Sequence, residues 1–143
     1  MKSPTFYFAY GLNLEEFRMT TKHPSAQFYK FAVLKGFRLV FAGKDEETGK
    51  GFCSISPNKY NDYVEGVLYT VDPKELTEPT DNSKVSDMEI LTDEGTFVRA
   101  KVYYVDSKEM NTPSLNYLER LHKKYQDYGF NMKNLESALE LLT

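Results

Sequence analysis

The residues best suited to chemistry are Tyr10-Gly11-Leu12-Asn13-Leu14. Glycine admits backbone angles closed to other residues, and asparagine tolerates the left-handed region, so Gly11 and Asn13 together break whatever runs into them. What runs in is a strand. Phe6, Phe8 and Tyr10 alternate with Tyr7 and Ala9, and the aromatic content lets both faces be buried. What runs out is a short helical segment, residues 14–19, with Asn13 as its expected N-cap and Glu15 and Glu16 in its first turn. A strand, a glycine turn and a helix start leave successive backbone N–H groups pointing outward, an arrangement suited to an anion. Tyr10 reads equally as a pocket wall or as a core residue ending the strand.

Other chemistries find no constellation. His23 and His122 stand far apart without a partner at metal-ligand spacing, so no metal is expected. Cys53 is the single cysteine. It excludes an internal disulfide and reads as a small buried residue in an apolar strand. No glycine-rich phosphate loop or dinucleotide fingerprint occurs, and His122-Lys123-Lys124 reads as a solvated helix face. The chain has 143 residues, 27% of them charged, with a net charge of −3. That balance gives no reason to expect nucleic acid or an anionic membrane as partner. No apolar run approaches the length of a membrane span, and the first residues lack the basic and apolar regions of a signal peptide. The expectation is one domain over residues 1–143, cytoplasmic, without a cofactor, and monomeric or homodimeric.

The remaining elements follow in order. Residues 20–25 read as a loop. Residues 32–41 read as one strand, with Phe37, Leu39 and Phe41 on a buried face. Residues 43–51 are a charged connection, expected to be solvated. A short strand over 52–57 ends in proline, and a nearly continuous apolar run over 63–71 reads as a central strand. Within it, Gly66 marks a bulge or a close backbone approach. Asp72-Pro73 reads as an N-cap followed by proline at the first helical position. Residues 77–84 are a polar loop. Residues 85–91 and 96–105 form a hairpin across Thr92-Asp93-Glu94-Gly95. Ser114 opens a helix with Tyr117, Leu118 and Leu121 inward, and Gly129 ends it. Residues 131–142 form a last amphipathic helix with Leu135, Ala138, Leu139 and Leu142 as its stripe.

The glycine turn resembles the YGSNL signature of the γ-glutamylcyclotransferase-like (AIG2-like) superfamily. Five further segments match the family pattern: Pro24-Ser25-Ala26, residues 34–41, residues 63–71, residues 97–105 and residues 113–121. The resemblance implies an α+β fold: a small mixed β-barrel with flanking helices, and the 10–14 and 77–84 loops facing one pocket. Family members release 5-oxoproline from γ-glutamyl amides. The substrate's own amine attacks the γ-carbonyl, so a carboxylate must take a proton from the amine and return one to the leaving nitrogen. The turn's amides grip the substrate. Residues 10–14 and Tyr117 are therefore implied as ligand-binding.

Two departures qualify the resemblance. Leu12 stands where the signature has serine. In the family's LD..EG motif, aligned on Leu76, Thr80 takes the place of the catalytic glutamate. A threonine hydroxyl does not accept an amine proton at neutral pH. Asp81, Glu78 or, less simply, Glu94 would have to replace it. The expectation is a small-molecule-binding protein on this scaffold, with catalysis lost or altered. Its ligand would be a small anionic or γ-glutamyl-containing molecule. The alternatives are an active γ-glutamyl(amine) cyclotransferase using Asp81 or Glu78 as base, and a regulatory or sequestering protein with a vestigial pocket.

Overall fold

A computed structural model describes residues 3–58, 61–79 and 83–142. The N-terminal strand β1 (Thr5–Ala9) is buried on both faces, as its aromatic content predicts: Phe8 is 1% and Tyr7 7% exposed. A 3-10 turn (Leu12–Leu14) and helix α1 (Glu16–Lys22) follow. Strands β2 (Gln27–Lys35), β3 (Phe37–Ala42), β4 (Phe52–Pro57) and β5 (Tyr63–Val71) come next. A second 3-10 turn (Pro73–Glu75) leads to β6 (Ser83–Thr92) and β7 (Phe97–Val105). Helices α2 (Leu115–Tyr128) and α3 (Met132–Glu140) complete the order.

Five strands close a barrel in the order β1-β5-β2-β6-β7. The pairings are antiparallel except where β7 meets β1 in parallel at Tyr7 and Lys101, which makes the sheet mixed. β5 is the central strand, paired on one side with β1 and on the other with β2. Its Gly66 lets the strands approach. A Cβ there would collide with the Ala9 carbonyl oxygen and stand 2.8 Å from the Phe8 ring. The register irregularity lies elsewhere, between Phe28 and Lys30 of β2.

β3 and β4 form a separate two-stranded sheet. Ser54, fully buried on β4, accepts from the Val105 amide at 2.9 Å and ties this sheet to β7. α3 packs on β3, and α2 packs on the first 3-10 turn. Ser114 caps α2 by accepting from the Tyr117 amide, and Gly129 ends it at φ +70°. The core joins Phe8, Leu14, Phe41, Leu68, Tyr69, Leu121, Tyr125 and Leu135, all at most 2% exposed. A fully buried side chain of this kind contributes roughly 1.5–3 kcal/mol.

Three local expectations change. Residues 32–41 are two strands, because Gly36 sits at φ +82° and turns the chain between β2 and β3. The first half of β2 escapes the periodicity because Phe28 and Tyr29 are both exposed. α1 runs on to Lys22 through residues expected to be loop, and its N-cap is Glu15. Asn13 instead donates its side-chain amide to the Tyr7 hydroxyl at 2.7 Å.

Candidate functional site

An open cleft of about 770 Å³ lies where the end of β1 meets β7 and the β3–β4 and β5–β6 connections. Tyr10, Gly11, Leu12, Asn13 and Tyr117 line it from one side, and Thr77, Glu78 and Pro79 from another. The two loops expected to share a pocket do share one. Thr80 and Asp81 lie outside the described residues.

The glycine-turn side is closely tied. The Leu14 amide donates to Gly11 O at 3.0 Å, and the Glu15 amide to Leu12 O at 2.9 Å. Those bonds shape the turn and consume both donors. No hydrogen bond among the described residues takes the amides of Gly11, Leu12 or Asn13. Of the Gly11–Leu14 amides expected to hold a ligand, the Leu14 amide is thus spent on the turn itself and those of Gly11, Leu12 and Asn13 remain. Leu14 does not line the cleft. Its side chain is completely buried, and its carbonyl accepts from Tyr128 Oη of α2 at 3.0 Å. Arg120 of α2 pairs with both carboxylate oxygens of Glu15 through its Nε and Nη2 and holds that carboxyl below its ordinary value.

Tyr117 and Cys53 form the adjoining wall. The Cys53 amide donates to Tyr117 Oη at 2.9 Å. Tyr117 is thus a cleft residue with a structural duty, because its phenol oxygen satisfies a strand amide. Gly11 lies against both: a Cβ there would meet Cys53 Cβ at 3.4 Å and Tyr117 Oη at 3.7 Å. Burial pushes the Cys53 thiol and the Tyr117 hydroxyl well above their ordinary values. The same cause raises Tyr10, and it pushes Tyr7 up to about 12. At neutral pH these groups are neutral and none of them is a ready base.

A tyrosine relay spans the two sides. Tyr7 and Tyr103 place their ring centres 5.6 Å apart. Tyr10 Oη donates to the Tyr103 carbonyl at 2.6 Å, and Tyr103 Oη donates to the Thr77 carbonyl at 2.8 Å. Tyr10 is therefore both a wall and a buried core residue, so both of its sequence readings hold.

Carboxylates reach the cleft from two connections. Asp45 accepts from the Glu47 and Thr48 amides at 2.8 and 3.2 Å, so its carboxylate shapes its own loop. Glu46 and Glu78 are exposed. Glu94 is elsewhere: it sits in the β6–β7 turn and holds Lys30 at 2.6 Å.

The sequence reading missed Arg18, Tyr7, Tyr103 and Lys44-Asp45-Glu46, all of which line the cleft. The 43–51 connection looks like any solvated loop, and no local signal marks it. Tyr103 alternates with the buried Ala100 and Val102 and so lies on the other face of β7, where periodicity gives no sign of a cleft. Arg18 sits in an otherwise unremarkable helical stretch.

No family model matches the chain. A bovine gamma-glutamylcyclotransferase is 31% identical over 121 residues, which span 78% of this chain and 64% of that protein. The human protein of the same name is 29% identical over the same share of each. The chain thus spans less than two thirds of the length of these curated relatives. A solved structure of a gamma-glutamyl cyclotransferase superposes with a TM-score of 0.80 at 23% identity, covering 94% of this chain and 86% of the other.

Proposed function

Because the chain belongs to the γ-glutamylcyclotransferase-like superfamily, we propose that it binds a small anionic or γ-glutamyl-containing molecule in this cleft without the family's cyclisation. The carrying observation is an asymmetry within the cleft. The Gly11–Asn13 turn offers free donors, while none of the described carboxylates lining the cleft is buried.

Donors and base do separate jobs. Free amides beside apolar walls hold a carboxylate or a polarised carbonyl whatever the side chain at position 12, so replacing serine by Leu12 costs a hydroxyl contact and leaves the backbone grip. Leu12 adds apolar surface and favours a ligand with an apolar body. Cyclisation needs more: a carboxylate at hydrogen-bond reach of the attacking amine, in surroundings that bring its pKa toward neutrality. Asp45 is engaged by its own loop, and Glu46 and Glu78 face solvent. Threonine at position 80 removes the family's base.

The cleft's open volume weighs against a vestigial pocket, which would be filled by Leu12 and the surrounding rings. Among the described residues no helix is long and apolar enough to cross a membrane.

The reading is tested with a panel of γ-glutamyl amides, followed both by thermal stabilisation and by 5-oxoproline release. The expected outcome is stabilisation without release. Release abolished by Glu78→Gln or Asp81→Asn would make this a working cyclotransferase with a relocated base.

A further inference from the structure

The cleft holds a cation that no described residue neutralises. Arg18 projects from α1 into the lining. Its Nε is buried and has no hydrogen-bond partner, and none of the ion pairs of the described residues includes it. The other cations near the turn differ. Arg120 is clamped on Glu15. Glu15 feels the Arg18 charge, but its oxygens are already taken. Lys22, further along the same helix, only adds like charge. Arg38 also has an orphaned Nε, but it shares its hollow with the carboxylates of Asp62 and Glu140.

A guanidinium N–H turned away from water and left without an acceptor is costly, and it persists where something else supplies the acceptor. Arg18 influences Tyr7 and Tyr117, both of which line the cleft, so its charge is felt inside the cavity. Its planar fork presents two parallel N–H groups, which match the two oxygens of a carboxylate better than any single donor can.

We propose that Arg18 is the anion anchor of this cleft, donating through its guanidinium edge to a carboxylate of the bound molecule. The assignment rests on the small-acid reading above and deepens it, because it divides the labour. Arg18 takes the charged end. The free amides of Gly11, Leu12 and Asn13 take a second oxygen, and Leu12 with the Tyr7 and Tyr103 rings covers the body of the ligand. Arg18 is thus a specificity-determining residue that selects molecules with an anionic end over neutral amides of the same shape.

The test compares wild type, Arg18→Met and Arg18→Lys by calorimetry with γ-glutamylalanine and with its analogue bearing amides in place of both carboxylates. The anchor predicts that Arg18→Met weakens γ-glutamylalanine binding by roughly ten- to a hundredfold, the worth of hydrogen bonds to a charged group. Arg18→Lys keeps the charge but should lose most of that affinity, because it lacks the fork. The amide analogue should bind wild type and Arg18→Met alike. Equal affinity of wild type and Arg18→Met for γ-glutamylalanine overturns the assignment.

If wild type ignores every γ-glutamyl probe, the small-acid reading fails by itself. Arg18 is then judged by acetate and inorganic phosphate. Thermal stabilisation of wild type that is absent in Arg18→Met upholds an anion site at this residue. An equal response, or none in wild type, overturns it. In ligand-free protein the orphaned donor predicts that Arg18→Met melts no lower than wild type, whereas a purely structural arginine predicts a drop.

Discussion

The two sides of the cleft are built differently. The glycine-turn side is fastened from below by Leu14, completely buried, and from the side by Tyr128, Tyr117 and the Arg120–Glu15 pair. The Thr77 side hangs on a hydrogen bond from Tyr103 and is otherwise exposed at Thr77 and Glu78. The proposed grip sits on the fastened side, where the backbone amides of residues 11–13 remain free despite the Leu12 change. The family's base would belong to the Thr77 side, and there the sequence departs from the family pattern. Recognition by backbone tolerates side-chain replacement, whereas proton transfer by one carboxylate does not.

The largest effect that would break this comparison is a gain. If only the base is missing, Thr80→Glu should raise 5-oxoproline release from γ-glutamyl amides by about 10²- to 10⁴-fold over wild type, the usual worth of a positioned general base. A flat result in a variant that still binds substrate would show that the Thr77 side has diverged in backbone course as well as in residue.

Next in size is the support of the grip. Leu14→Ala should cost about 2–5 kcal/mol in urea unfolding, because a completely buried leucine leaves a cavity under the turn. Ligand stabilisation should fall with it. A loss under 1 kcal/mol in the same assay would remove Leu14 as the fastening point.

Tyr103→Phe sharpens the contrast, since it cuts the bond to the Thr77 carbonyl and leaves the glycine turn intact. The expected cost is about 1 kcal/mol. Amide exchange should quicken around residues 76–79 and stay unchanged around residues 11–15.

The smallest effect is a pH slope on the rigid side. His23 is buried against the Tyr7 ring with its Nδ1 unpartnered, and burial holds its pKa below the ordinary value. The unfolded chain therefore binds this proton more readily than the folded one. The stability it contributes is complete above about pH 6.5 and declines as pH falls from there toward the depressed folded value. His23→Gln should flatten that decline in thermal melts taken between about pH 5 and 7.

Much of the barrel was legible because its strands obey local rules. The buried run Tyr63–Val71 is the central strand, Thr92-Asp93-Glu94-Gly95 is the hairpin turn, and α2 is bracketed by the Ser114 hydroxyl and by the left-handed backbone of Gly129. β2 was not legible. Its first residues are exposed aromatics, and the turn at Gly36 interrupts an alternation that reads as continuous. At the site, the glycine turn carries a contiguous signal and lies in the cleft. Arg18, Tyr103 and the residues 44–46 come from three distant elements, so only the closed barrel brings them together. The donor set also lost its last member, because the turn spends the Leu14 amide on its own 3-10 hydrogen bond.

The most direct measurement is a single experiment on the wild-type protein. γ-Glutamyl amides are titrated calorimetrically while 5-oxoproline is followed in the same samples, with Glu78→Gln and Asp81→Asn in parallel. The account predicts saturable heat of binding with no 5-oxoproline above the uncatalysed background, unchanged in either variant. Turnover by wild type that disappears in one of the two variants would contradict it and identify the carboxylate that does the work.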